Sequence, residues 1–144
     1  MSKSARLLGL GALLWAALAV AEPPPVPSID AQELLAREAA KDPALAVLDV
    51  RTPAEFAAGH VPGAINVPHD QIEARLAELE GLRDKDVVVY CKSGRRAELA
   101  LEALGQHGYA RLKHLDGDMQ GWTAAGRPVE TAPAPAETPP APKP

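Results

Sequence analysis

The chain has 144 residues, a single cysteine, and 19 acidic against 15 basic side chains, for a net charge of −4. That balance argues against a surface built to hold nucleic acid, and a lone cysteine excludes an intramolecular disulfide. Once the two ends are set aside, about 100 residues remain, from residue 28 to residue 130, which is one domain of ordinary size.

The N-terminus reads MSKSARLLGLGALLWAALAVAEPPP, where Lys3 and Arg6 precede an uncharged apolar run from Leu7 to Ala21. The run closes on Ala19-Val20-Ala21 ahead of Glu22, the pattern of a secretory signal peptide over residues 1–21, cut after Ala21. About 15 apolar residues fall short of the roughly 20 that cross a bilayer, so no stable membrane anchor is expected after cleavage. No cysteine follows the run to carry a lipid. In an oxidising exported compartment an unpaired thiol is either buried and inert or kept for chemistry.

Ile29 to Ala40 reads as a helix, with Asp30 as cap, Glu33 three residues on, and Leu34 and Leu35 as its apolar stripe. Leu45 to Val50 is a short apolar run suited to a buried strand. Thr52, Pro53 and Glu55 then form a capping box that starts a short helix. A turn at His60 to Gly63 leads into a short strand from Ala64 to Val67, stopped by Pro68. From Asp70 to Leu82, Ile72, Leu76 and Leu79 recur at helical spacing, which predicts an amphipathic helix ended at Gly81. Val87 to Tyr90 is a second buried strand, and Arg95 to Gln106 a helix with Leu99, Leu101 and Leu104 inside. Ala110 to Leu115 forms a last strand and Met119 to Ala125 a last short helix. The closing segment, residues 131–144, is proline, alanine and a few charges, too poor in apolar side chains to offset the entropy of ordering. Short apolar strands alternating with helices mean βα units, an α/β class with a mainly parallel sheet covered on both faces.

In such sheets, sites form beyond the carboxyl ends of the strands. Cys91 stands at that point, in VVYCKSGRRA. The loop Lys92-Ser93-Gly94 turns into a helix beginning near Arg95, so successive backbone N–H groups face inward as a nest for an anion. Lys92, Arg95 and Arg96 add cationic charge in an otherwise acidic protein, and the cysteine is expected to be largely thiolate. A nucleophile inside an anion-binding loop points to group transfer from a sulfur or phosphorus oxyanion. The plain alternative, a small buried hydrophobe at a strand end, does not account for Gly94 and two arginines directly after it.

The segment LDVRTPAEFAAGHVPGAINVP resembles the signature of rhodanese-like domains at Asp49, Arg51, Glu55, Phe56, Gly59, His60, Pro62, Gly63, Ala64, Asn66 and Pro68. CKSGRR resembles that family's active loop. LDGDMQGWTAAGRPVE resembles its closing pattern at Leu115, Gly117, Trp122, Ala125, Gly126, Pro128 and Val129, with Asp118 where a second glycine is usual. Aspartate tolerates left-handed backbone better than most residues, so the departure bears on fine loop shape. The resemblance implies a rhodanese-like fold, a mostly parallel five-stranded sheet flanked by helices on both faces, in a single-domain periplasmic form. It implies a thiosulfate sulfurtransferase in which Cys91 takes sulfane sulfur from thiosulfate and passes it to cyanide or a thiol. Lys92, Ser93, Gly94, Arg95 and Arg96 would bind the anion. Asp49, Arg51 and Glu55 read as a network bracing the loop, and His60 as a structural histidine. No cofactor is implied, and His69, His107 and His114 lack metal-ligand spacing.

Two other functions stay open at this point. A sulfur-carrier or binding module would use the same loop to pass a persulfide to a protein partner. A cysteine phosphatase or arsenate reductase would need a wider loop, because related phosphatases place five residues between cysteine and arginine and Cys91 to Arg96 leaves four.

Overall fold

The two apolar runs read as strands lie side by side at the centre of a parallel sheet: β2 (Leu45–Asp49) and β4 (Asp86–Tyr90), in register from Leu45 opposite Asp86 to Asp49 opposite Tyr90. The computed structural model describes residues 19–133, so the expected leader, apart from its last three residues, and the tail from 134 onward lie outside the described residues. Side chains of the central strands alternate between two cores. Leu48, Val87 and Val89 enter one, and Val47, Val88 and Tyr90 the other. Burial on both faces is why these strands read as unbroken apolar runs rather than as alternating ones.

β3 (Ile65–Asn66) flanks β2, β5 (Leu112–Leu115) flanks β4, and β1 (Ser28–Ile29) lies outside β5, giving the order β1-β5-β4-β2-β3. Every pairing in the sheet is parallel, so the expected "mostly parallel" sheet is fully parallel. Helices α1 (Ala31–Ala39) and α5 (Asp118–Ala124) bury Leu34, Met119 and Trp122 on one face. α4 (Arg95–Gln106) buries Ala97, Ala100, Leu101 and Leu104 on the other, together with the short α3 (Leu76–Leu79). α2 (Pro53–Ala58) buries no residue and stands at the carboxyl edge of the sheet, after β2. Between β2 and β4 the chain turns outward in opposite directions, and a crevice therefore opens above their carboxyl ends.

Three expectations need correction. The helix expected from Ile29 begins at Ala31, because Asp30 is its cap, accepting from the Glu33 N–H at 2.8 Å, and Ile29 is left outside to pair with Leu115. The helix expected over Asp70–Leu82 is broken into a 3-10 turn at His69–Gln71, the four residues of α3 and a second 3-10 turn at Glu80–Leu82. Ile72 and Leu79 are both buried, but Arg75 between them leaves helical geometry, and nothing in the local sequence explains the break. Leu99 is 42% exposed rather than inside. It lies roughly half a turn around α4 from the buried stripe that Ala97, Ala100, Leu101 and Leu104 define.

One charge sits badly in this packing. Glu38, near the end of α1, has a buried Oε1 with no hydrogen-bond partner among the described residues. Burial, and then the charge of Glu130, pushes its carboxyl up to about 7. A carboxyl raised in the folded state favours folding while protonated, so this contribution is complete below about pH 4.5 and is lost as pH rises toward 7. The half-buried site leaves part of that penalty to solvent, and about 1–2 kcal/mol of stability should disappear between pH 5 and pH 8. Glu38→Gln should remove this part of the pH dependence in urea unfolding at the two pH values. An unchanged difference would show that Glu38 is not its source.

Candidate active site

The parallel arrangement delivers the ends of β2, β4 and β5 to one edge. The residues just past those ends, Arg51, Cys91 and Asp118, are all buried. Cys91 is 1% exposed and follows Tyr90 directly. Its backbone is stitched to the start of α5: the Met119 N–H donates to the Cys91 carbonyl at 2.9 Å, and the Gln120 N–H to the Lys92 carbonyl at 3.0 Å. The chain then bends at Gly94, where φ is +116° and a Cβ would come within 3.2 Å of Asp118 Oδ2. Only glycine combines that left-handed backbone with that space.

From this bend the Gly94 N–H donates to Cys91 Sγ at 3.0 Å. The N–H groups of Lys92 and Ser93 meet no acceptor among the described residues, and those of the first turn of α4 are open by the nature of a helix start. The α4 N-terminus adds its partial positive charge. The loop thus brings one donor, the Gly94 N–H, onto the sulfur and leaves two further N–H groups unpartnered beside it in the chain.

The three cations expected around the sulfur occupy different settings. Arg96 is held by Glu55 through two hydrogen bonds, 2.7 and 3.0 Å, which tie α4 to α2. Those bonds come first, with further ones from Thr52, in holding the Glu55 carboxyl down to about 2. The bonds to Glu55 come first in holding the Arg96 guanidinium above its ordinary range, and this paired arginine stands at the start of α4, in the first turn after the loop. Arg95 points outward, its side chain 80% exposed and 3.8 Å from Glu98. Lys92 is exposed and borders a cavity of about 440 Å³ with Arg51, Glu55, Gly59, Met119 and Val129. Ser93 is exposed at the tip of the loop.

Beneath the loop lies a buried polar network. Asp49 is fully buried and is clamped by Arg51, whose Nε reaches Oδ1 at 3.0 Å and Nη2 reaches Oδ2 at 2.7 Å. Tyr90 donates its hydroxyl to the same carboxylate at 2.7 Å and accepts the Val61 N–H at 3.0 Å. Burial, and then the charge of Asp49, pushes this phenol well above its ordinary range. Arg51 also donates to the Gly59 carbonyl at 2.8 Å, and Asn66 donates to the carbonyls of Asp49 and Arg51. Asp49 and Arg51 thus brace the β2 end beside the cysteine. His60 is buried, stacked on Phe56 at 3.6 Å, with Nδ1 2.7 Å from the Phe56 carbonyl, so its ring is occupied structurally.

Sequence reasoning left Asp118 as a loop-shape variant. Its backbone is left-handed, φ +52°, but its carboxylate also accepts the Cys91 N–H at 2.9 Å and lies 3.0 and 3.1 Å from His114 Nε2. The departure from the usual glycine was the only signal of this contact. Among the described residues no group of three or more histidine, cysteine or acidic side chains is placed to hold a metal ion, and no helix is long and apolar enough to cross a membrane.

Residues 30–125 match a family model described as the rhodanese-like domain. A sulfurtransferase of Allochromatium vinosum is 40% identical over 104 residues, covering 72% of this chain and 94% of that protein. The thiosulfate sulfurtransferase PspE of Escherichia coli is 36% identical over 70 residues, 49% of this chain and 67% of that one. Among solved structures, a rhodanese-related protein from Thermoplasma volcanium is 34% identical, with a TM-score of 0.63 over 74% of this chain and 99% of the other.

Proposed function

The chain belongs to the rhodanese-like domain family, and from that we propose that it is an exported thiosulfate sulfurtransferase working through a persulfide on Cys91. The observation that carries the reading is the Gly94 N–H directed at Cys91 Sγ at 3.0 Å, within a loop of further open donors. In the first half-reaction the Cys91 thiolate attacks the outer sulfur of thiosulfate. A new S–S bond forms, the S–S bond of thiosulfate breaks, and sulfite leaves with its electron pair. In the second, cyanide or an acceptor thiolate attacks the terminal sulfur and Cys91 departs as thiolate, giving thiocyanate or a new persulfide. The loop donors stabilise the negative sulfur in both states.

Lys92 and the open loop N–H groups receive the sulfonate oxygens, and Arg96 supplies fixed charge while anchored by Glu55. Arg95, turned to solvent, attracts the dianion against the net charge of the protein without touching it. With no second cysteine in the chain, the acceptor must come from outside. A loop with four residues between Cys91 and Arg96 suits one sulfur atom better than a phosphate.

Intact-mass measurement of protein from the periplasmic fraction tests both parts of the proposal. The chain should start at Glu22, gain the mass of one sulfur atom with thiosulfate, and lose it to cyanide. A full-length chain in membranes would overturn export. Failure to take up sulfur from thiosulfate, with uptake from another donor, would overturn the donor. Uptake without steady-state turnover would make the protein a sulfur carrier.

A further inference from the structure

Asp118 connects the nucleophile to a titratable group that the sulfur-transfer reading does not use. Its side chain is 5% exposed, and Oδ1 takes the N–H of Cys91 itself. Oδ2 lies directly under Gly94, the residue that donates to Cys91 Sγ. The same carboxylate faces His114, at the end of β5, whose side chain is 25% exposed and lines a groove of about 830 Å³ between residues 23–27 and α4. Asp118 is thus nearly closed to solvent, while its partner His114 reaches solvent in that groove.

We propose that Asp118 is a positioning residue for the Cys91 loop and that His114, by gaining or losing a proton, sets the charge that Asp118 presents beneath the cysteine sulfur. With His114 protonated the pair is neutral and the loop donors act on the sulfur unopposed. With His114 neutral, the carboxylate stands uncompensated one hydrogen bond from the cysteine backbone and opposes a thiolate. Histidine is the side chain whose charge ordinarily changes in the range about pH 5 to 8, which is why the pair is placed to couple proton binding to the loop. The other charges around the pair are few. From α4, Glu98 and Glu102 line the same groove as His114. From the loop there is Cys91, with Arg96 behind it. From the β1 side the contact is the carbonyl of Pro27, and from β4 the register partner is Val89.

The proposal rests on Cys91 being the nucleophile but not on the identity of the sulfur donor, so the test uses alkylation rather than transfer. The rate of Cys91 modification by neutral iodoacetamide is measured from pH 5 to 9 in the wild type, Asp118→Asn and His114→Gln. Asparagine keeps the acceptor for the Cys91 N–H and tolerates left-handed backbone, but carries no charge. The two variants should move the profile in opposite directions, Asp118→Asn toward acid and His114→Gln toward alkali, with rates at pH 6 differing by about fivefold or more. A purely structural pair would slow both. Shifts in the same direction, or none, would overturn the proposal. Circular dichroism establishes that each variant is folded, and if Asp118→Asn is not, the alkaline shift of His114→Gln decides alone. If alkylation follows this pattern while thiosulfate transfers no sulfur, the donor assignment fails and the Asp118 inference stands.

Discussion

Cys91→Ser should take up no sulfur from thiosulfate and should lose turnover by on the order of 10³-fold or more, the scale on which loss of a covalent nucleophile is read in other enzymes. A serine hydroxyl stays un-ionised at neutral pH, and it forms no counterpart of the persulfide on which the second half-reaction depends. The variant should nevertheless fold. Cys91 belongs to the same buried core as Val50 and Ala97, and a serine there keeps an acceptor for the Gly94 N–H. Burying the hydroxyl should cost about 1 kcal/mol, a fall in melting temperature of about 4–8 °C. Mass spectrometry after thiosulfate treatment and a cyanide-dependent assay measure the first effect, and thermal unfolding the second. A serine variant that still acquires a cyanide-labile sulfur would remove Cys91 from the chemistry.

Asp49→Ala should destabilise the fold by about 3–5 kcal/mol, because it leaves a buried cation without its counter-charge. Arg51, 6% exposed, would keep only the Gly59 carbonyl among its present side-chain hydrogen-bond partners, and the Tyr90 hydroxyl would lose its acceptor. In a domain of this size that loss lowers the melting temperature by roughly 15 °C or more. Tyr90→Phe deletes one hydrogen bond and leaves the charges paired, so about 1–2 kcal/mol is expected. Asp49→Leu combined with Arg51→Met replaces the pair by apolar groups and should recover much of the loss. A cost below about 1 kcal/mol for Asp49→Ala would show that solvent reaches Arg51 and that the network does not brace the loop. Urea unfolding of the three variants and the wild type at one pH compares them directly.

What could be read from the chain follows the range of the interaction. Thr52 and Glu55 are three residues apart, and their reciprocal capping is visible both in the sequence and in the structure, at 3.2 and 3.0 Å. The second engagement of Glu55, with Arg96, spans 41 residues and no local pattern announces it. β2 and β4 were legible because burial on both faces leaves unbroken apolar runs. β1 was not, since two residues carry no period and its pairing with β5 joins opposite ends of the domain. The loop was legible as chemistry from CKSGRR, but the outward course of Arg95 depends on the phase of α4, which one residue of difference in its start would change. Asp118 was legible only as a departure from the resembled pattern, because its partner, the Cys91 N–H, lies 27 residues away and carries no side-chain signal.

The outermost strands of the sheet, β1 and β3, are two residues long, and the amide of Asn66 in β3 is turned inward to the carbonyls of Asp49 and Arg51. An extended segment of another polypeptide needs a longer row of free main-chain groups to zip against, so these rims offer poor seeds for strand addition. Ile65 remains 46% exposed on one of them, a sticky side chain without a backbone ladder to hold what adheres. Crowded copies are thereby protected from fibrillar growth by the brevity of the rims, reinforced by Pro27 directly before β1 and Pro68 just after β3.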